Sequence, residues 1–226
     1  MENADLKITE TEAETTVLLH PRVMELLASR MCHDLVSPVG AVNNGIELMR
    51  DLGPDMAADA LDLIESSIGQ AAVRLKLFRL AYGVAGSEKQ VGFEDIKTAF
   101  ADWAAHGRTT VNWGGGIDFA ETPKGFGKVL LNLLVLAEEC NPGESNLDID
   151  PGEDNASVVI HLRGKRPGLH KGMAECLTGD YPVEELDPRL VHAYVTGVIL
   201  KYFGFTLTHR QISETELYFR VERSAA

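Results

Sequence analysis

Ala57, Leu61, Ile64, Ile68, Ala71, Leu75, Phe78 and Tyr82 recur at steps of four and three residues in unbroken alternation. No other pattern in the chain restricts its fold as tightly. Steps averaging about 3.5 residues place these side chains on one stripe of an α-helix, the seam of a coiled coil or helical bundle. The spacing predicts a helix from about Asp55, a residue type that caps helix N-termini, to Tyr82. Upstream, Met31, Leu35, Pro38, Val42, Ile46 and Met49 form a second seam, in a helix expected from about Pro21 to Asp51. Pro21 suits a first turn, Gly53-Pro54 stops the helix, and Pro38 inside it should introduce a bend. Two long helices joined by a few residues make an antiparallel hairpin, which cannot close its apolar surface on itself. A second copy would close it as a dimeric four-helix bundle, with Leu61, Ile64, Ile68 and Leu75 at the interface. The alternative is a hairpin packed only on the rest of its own chain.

At about 100° per residue, His33 lies roughly 160° from Met31 and so faces away from the seam. Arg30, Ser37, Gly40 and Asn44 share its face, all polar or small. A histidine there has no packing role. Gly40 costs the helix about 1 kcal/mol relative to Ala unless something must approach the backbone closely. His33-Asp34 followed by Pro38 resembles the phosphoacceptor motif, His-Glu/Asp-x-x-x-Pro, of the dimerisation helix in two-component histidine kinases.

The 226 residues allow one large domain or two small ones. The expected boundaries are a mobile acidic tail over 1–16, the helical hairpin over 17–86 and an α/β domain over 87–226. A net charge of −13 argues against nucleic acid, whose phosphates need clustered Lys and Arg. Cys32, Cys140 and Cys176 lie far apart without metal or disulfide spacing, which fits a reducing cytoplasm. The N-terminus has neither the basic region nor the apolar core of a signal peptide, and the apolar run Val129–Ala137 is too short to span a bilayer. No membrane association is expected.

Beyond a linker from Gly83 to Gln90, helices and strands alternate. Helices are expected over Phe93–Ala105, from Thr122-Pro123 to Glu139, near Leu169–Leu177, and from Asp187 to Phe203. Strands are expected at Thr109–Trp113, Leu147–Asp150, Ser157–Leu162, Phe205–His209 and Glu216–Val221. A helical hairpin followed by such an α/β sandwich resembles the catalytic core of a histidine kinase, an α+β fold. The segments that bind Mg-ATP in those kinases are altered here. Asn132 matches the first asparagine of the nucleotide-binding helix, but Leu136 stands at the metal-binding position, where an aliphatic side chain cannot ligate a hard cation. Arg163-Gly164-Lys165-Arg166-Pro167-Gly168 replaces Asp-x-Gly-x-Gly, and Asp187–Tyr194 lacks the glycines of the phosphate loop. A kinase-like chain with an intact phosphoacceptor and an ATPase-like domain lacking its nucleotide site resembles the ChpT-type histidine phosphotransferases.

That resemblance implies a cytoplasmic homodimer in a cell-cycle phosphorelay. It would accept a phosphoryl group from the receiver domain of a hybrid kinase and pass it to receiver domains of response regulators. His33 is then the phosphoacceptor. Asp34 is its hydrogen-bond partner or, alternatively, a solvated helix carboxylate, and Ser37 would position a water for dephosphorylation. Which ring nitrogen of His33 carries phosphate stays open. Arg30, Val36, Gly40 and Asn44 are candidates for docking a receiver. Arg163, Lys165 and Arg166, with Lys171, form a cationic cluster that would meet acidic receivers, or merely balance Glu153, Asp154 and Glu175. The chain would hold no cofactor of its own, and Mg²⁺ would come from the receiver. Two other readings are an active kinase with an unusual nucleotide site and a non-catalytic dimeric scaffold for response regulators.

Overall fold

A computed structural model describes residues 19–51, 57–83, 92–115, 122–141, 143–154 and 156–224. The expected acidic tail, the Gly53-Pro54 stop, the Asp55 cap and all of the linker but Gly83 lie outside the described residues. Helix α1 spans Pro21–Asp51 and α2 spans Ala57–Ala81. Gly45 of α1 meets Ala60 and Ile64 of α2, while Asp34 meets Arg74, so the two helices run antiparallel. A Cβ on Gly45 would stand 2.6 Å from Ile64 Cγ1 and 3.2 Å from the Ala60 carbonyl oxygen, so this glycine sets how closely the helices pack. Gly40 behaves differently. Nothing lies within 4 Å of where its Cβ would stand, and within one chain no backbone approach explains it.

The α2 seam divides into two groups. Phe78 is buried and Ile64 is half-buried against α1. Leu61, Ile68 and Leu75 are 46%, 54% and 54% exposed, and Val39, Ile46 and Met49 of α1 are exposed as well. The residues α2 buries are Ala60 and Ser67 beside α1, then Leu77, Phe78, Leu80 and Ala81 where its C-terminal end enters the second domain.

That domain contains α3 (Phe93–Ala105), β1 (Thr109–Trp113), α4 (Phe126–Glu139), β2 (Ser145–Pro151), β3 (Val158–Gly164) and α5 (Met173–Thr178). After a 3₁₀ turn at Val183–Glu185 come α6 (Val191–Phe203), β4 (Phe205–Ser213) and β5 (Glu216–Arg223). Each expected element is present, and three helices, α4, α5 and α6, start later than expected. Gly125, in the left-handed region at φ 84°, precedes α4. Asp187 Oδ1 accepts the backbone N–H groups of Arg189 and Leu190 at 2.8 and 3.0 Å, which holds a turn ahead of α6. The sheet order is β1-β2-β3-β5-β4, with β1 and β2 parallel and the remaining pairs antiparallel. Leu147, Ile149, Ile160, Leu162, Leu217 and Phe219 occupy alternate strand positions and are buried, while Asp148, His161 and Tyr218 between them are partly exposed. Helix α4 is buried on all sides from Phe126 to Ala137 and forms the centre of the core.

Polar bonds join the hairpin to this domain. Tyr82 O–H donates to His192 Nδ1 (2.7 Å), leaving His192 Nε2–H to donate to the Asn132 carbonyl (3.1 Å). Full burial, with the Arg30 charge adding to it, pushes the His192 imidazole down to about 3, so it is neutral and this tautomer is fixed. Asn132 Nδ2 donates to the Ala81 carbonyl (3.1 Å), Lys128 Nζ to that of Gly83 (2.9 Å), and Arg22 Nη2 to that of Leu186 (2.8 Å).

Candidate functional site

Helix α1 buries Val23, Pro38 and Gly45. His33, about 140° around the helix from Pro38, points into solvent with 89% of its side chain exposed. One residue further round the helix, Asp34 leans toward the second domain and is 29% exposed. Its Oδ1 lies 3.5 Å from His33 Nδ1, the outer limit of a hydrogen bond. Arg74 Nη1 donates to the Asp34 backbone carbonyl at 2.6 Å and so ties α2 to the backbone beneath the histidine.

Ser37, Asn44 and Val36 are exposed on the same helix, and Gly40 is half-exposed. Arg30 departs from its expected outward role. Its guanidinium turns into the junction and pairs with Glu139 at the end of α4, with only 24% and 20% of the two side chains exposed. Burial pushes the Glu139 carboxyl up to about 7 against the opposing pull of Arg30, with Asp34 adding to the rise. Glu138 is raised too, chiefly by burial, and accepts a hydrogen bond from Trp103 Nε1.

Two depressions follow the junction, and a larger one lies within the second domain. One of about 530 Å³ includes His33, Arg30, Asp34, Glu139, His170 and Arg189. A second, of about 370 Å³, shares Arg30, Asp34 and Glu139 with it. A third, of about 1020 Å³, shares Gly107 with the second and holds Arg108, Arg163 and Lys165. Arg163 lies on the outward face of β3 and pairs with Asp148 and with Glu216 across the neighbouring strands. Lys165 and Arg166 are exposed and, among the described residues, unpaired. The structure thus brings His33, Asp34 and Arg30 together and sets Arg163 and Lys165 apart from them, in the second domain's own depression. Sequence reasoning did not anticipate Glu139, His170, Arg74 or Arg189; a pair of acids closing the apolar run of α4 was the one available signal.

Leu136 is fully buried, Asn132 is turned into the junction, and Val191, His192 and Ala193 are buried at the start of α6. Among the described residues no helix is long and apolar enough to cross a membrane.

Residues 93–215 match the family model of the histidine phosphotransferase C-terminal domain. Protein phosphotransferase ChpT of Brucella abortus (strain 2308) is 31% identical over 200 residues, covering 87% of this chain and 93% of the relative. A bacterial phosphotransferase solved at 1.7 Å superposes with a TM-score of 0.78 at 28% identity, over 92% of this chain and 98% of the other. With its exposed histidine on a two-helix hairpin and a C-terminal domain of the matching kind, this chain belongs to the ChpT-type histidine phosphotransferases, a family of protein phosphotransferases.

Proposed function

We propose that the chain relays a phosphoryl group between receiver domains through His33, from a hybrid kinase's receiver to those of response regulators. The observation that carries this reading is an imidazole 89% exposed on a polar helix face, with a carboxylate at its Nδ1. With Nδ1 turned to Asp34, Nε2 is the nitrogen left free to meet an incoming group. Nε2 attacks the phosphorus of the receiver's aspartyl phosphate. The N–P bond forms as the P–O bond to aspartate breaks, and the aspartate leaves as a carboxylate. The ring keeps its Nδ1 proton and becomes cationic, and the Asp34 carboxylate offsets that charge. The reverse sequence delivers the group to a second receiver. Mg²⁺ and its carboxylates would come with the receiver.

The chain would work as a homodimer. Leu61, Ile68 and Leu75, with Val39, Ile46 and Met49, are exposed apolar side chains on the two helices, the kind of surface that a protein interface covers. A second hairpin packed there would leave His33 outside the bundle. Ser37, exposed one turn from His33, would hold a water for hydrolysis of the phosphohistidine. Lys165 and Arg166 are free to attract acidic receivers, while Arg163 is largely engaged by its own acids.

The test is a two-stage transfer. The chain is mixed with a panel of pre-phosphorylated receivers, repurified and given fresh receiver. Movement of label onto the chain and then onto the second receiver supports the relay. A chain that takes no label from any receiver, or binds receivers without exchanging label, contradicts it.

A further inference from the structure

A receiver approaching His33 meets an open helix face on one side and the depression of about 530 Å³ on the other. The far wall of that depression belongs to the second domain and includes His170, Met173, Pro188 and Arg189. Most of the polar groups around it are already engaged. Arg30 is held by Glu139, His170 Nε2 lies 3.2 Å from the Glu139 carbonyl, and Asp34 stands beside His33. Among the charged side chains Arg189 is the exception. Its side chain is exposed, and among the described residues its guanidinium has neither an ion-pair nor a hydrogen-bond partner.

The stem of Arg189 is nonetheless well held. Its backbone N–H donates to Asp187 Oδ1, Pro188 precedes it, and Leu190 behind it is buried. Arg22 of α1 donates to the Leu186 carbonyl just upstream, which ties this turn to the helix that carries His33. The backbone position of Arg189 relative to the nucleophile is therefore fixed, with only the side chain free to reach.

Resting on the relay reading above, we infer that Arg189 is a docking residue for the receiver. Its guanidinium engages carboxylate oxygens on the loops that rim the receiver's phosphorylation site, with Pro188 and Met173 as the apolar floor. The depression is too small for a domain and large enough for a few side chains of one loop. A receiver that holds Mg²⁺ presents clustered aspartates, and this chain, at −13, repels such a partner overall. An unpaired guanidinium in the depression that His33 also lines concentrates attraction where orientation matters, and its fork matches a carboxylate.

The experiment measures transfer from a phosphorylated receiver at increasing receiver concentration and low salt, for wild type, Arg189→Ala, Arg189→Glu and Arg189→Lys. Labelling of His33 by phosphoramidate, a donor that needs no docking, reports separately on fold and nucleophile. The half-saturating receiver concentration should rise about three- to fivefold in the alanine variant, as for loss of an exposed charge pair. In the glutamate variant it should rise about tenfold or more, as for juxtaposed like charges. Maximal rates should stay near wild type, Lys should restore the charge but only part of the loss, and added salt should bring the variants together. Unchanged half-saturation in Arg189→Glu overturns the inference, and so does a fall confined to the maximal rate. A wild-type chain that takes no phosphate from any receiver defeats the relay itself, which is a different result from wild-type transfer that is indifferent to Arg189.

Discussion

Replacing Glu139 by Gln tests whether burial beside Arg30 makes the Glu139 carboxyl hold its proton into the neutral range. Burial raises the Glu139 carboxyl from 4.5 to about 7, although Arg30 opposes the rise. Between those values the folded chain binds more proton than the unfolded chain. The stability this group contributes is therefore complete below about 4.5 and is lost as pH rises through about 7. The span corresponds to at most about 3 kcal/mol, and the side chain's 20% exposure makes that a ceiling. Glu139→Gln has no proton to release and keeps an oxygen for Arg30. The stability of wild type relative to the variant should then fall steadily from about pH 5 to about pH 8, with the variant gaining at the alkaline end. Urea unfolding at several pH values and one fixed protomer concentration measures the difference. A difference that stays constant across that range refutes the reasoning.

Gly45→Val should separate α1 from α2 at Ile64 and cost about 1–3 kcal/mol. Gly40→Ala, with open space around it, should raise the thermal midpoint instead. Ile68→Lys puts a charge on a side chain that one chain leaves 54% exposed. In a four-helix dimer that lysine is buried unpaired at a cost of several kcal/mol, and light scattering should show monomers; a wild-type monomer would refute the bundle directly. Mg-ATP at millimolar concentration should give no saturable heat in calorimetry, because Leu136 lies in the core and Asn132 is bonded to Ala81. A site of micromolar affinity would contradict that.

The ends of α1, α3 and β1 coincide with their sequence-predicted limits because local signals set them: proline in a first turn, an amphipathic stripe, a glycine after a strand. His33 was legible for a similar reason, since its exposure follows from helical geometry alone. Long-range pairing was not legible. Arg30 was expected to face outward because its partner Glu139 lies 109 positions away. Arg163 has acids nearby in sequence, but strand register delivers Asp148 and Glu216 instead. The unbroken α2 seam concealed a division of labour, in which Phe78 packs within the chain and Leu61, Ile68 and Leu75 stay on its surface. Periodicity specifies a stripe but not what covers each part of it. The bond from Asn132 to the Ala81 carbonyl was not legible either, since the sequence does not show that α2 ends beside it.

The most direct measurement maps the phosphate itself. Wild type and His33→Ala are mixed with the same phosphorylated receiver, and acid-labile, alkali-stable phosphate is quantified on each chain and located by peptide mapping. The account requires up to one such phosphate per wild-type chain, on His33, lost when a second receiver is added, and none on a normally folded His33→Ala. Undiminished label on His33→Ala, or label that maps to another residue of the wild type, would contradict it.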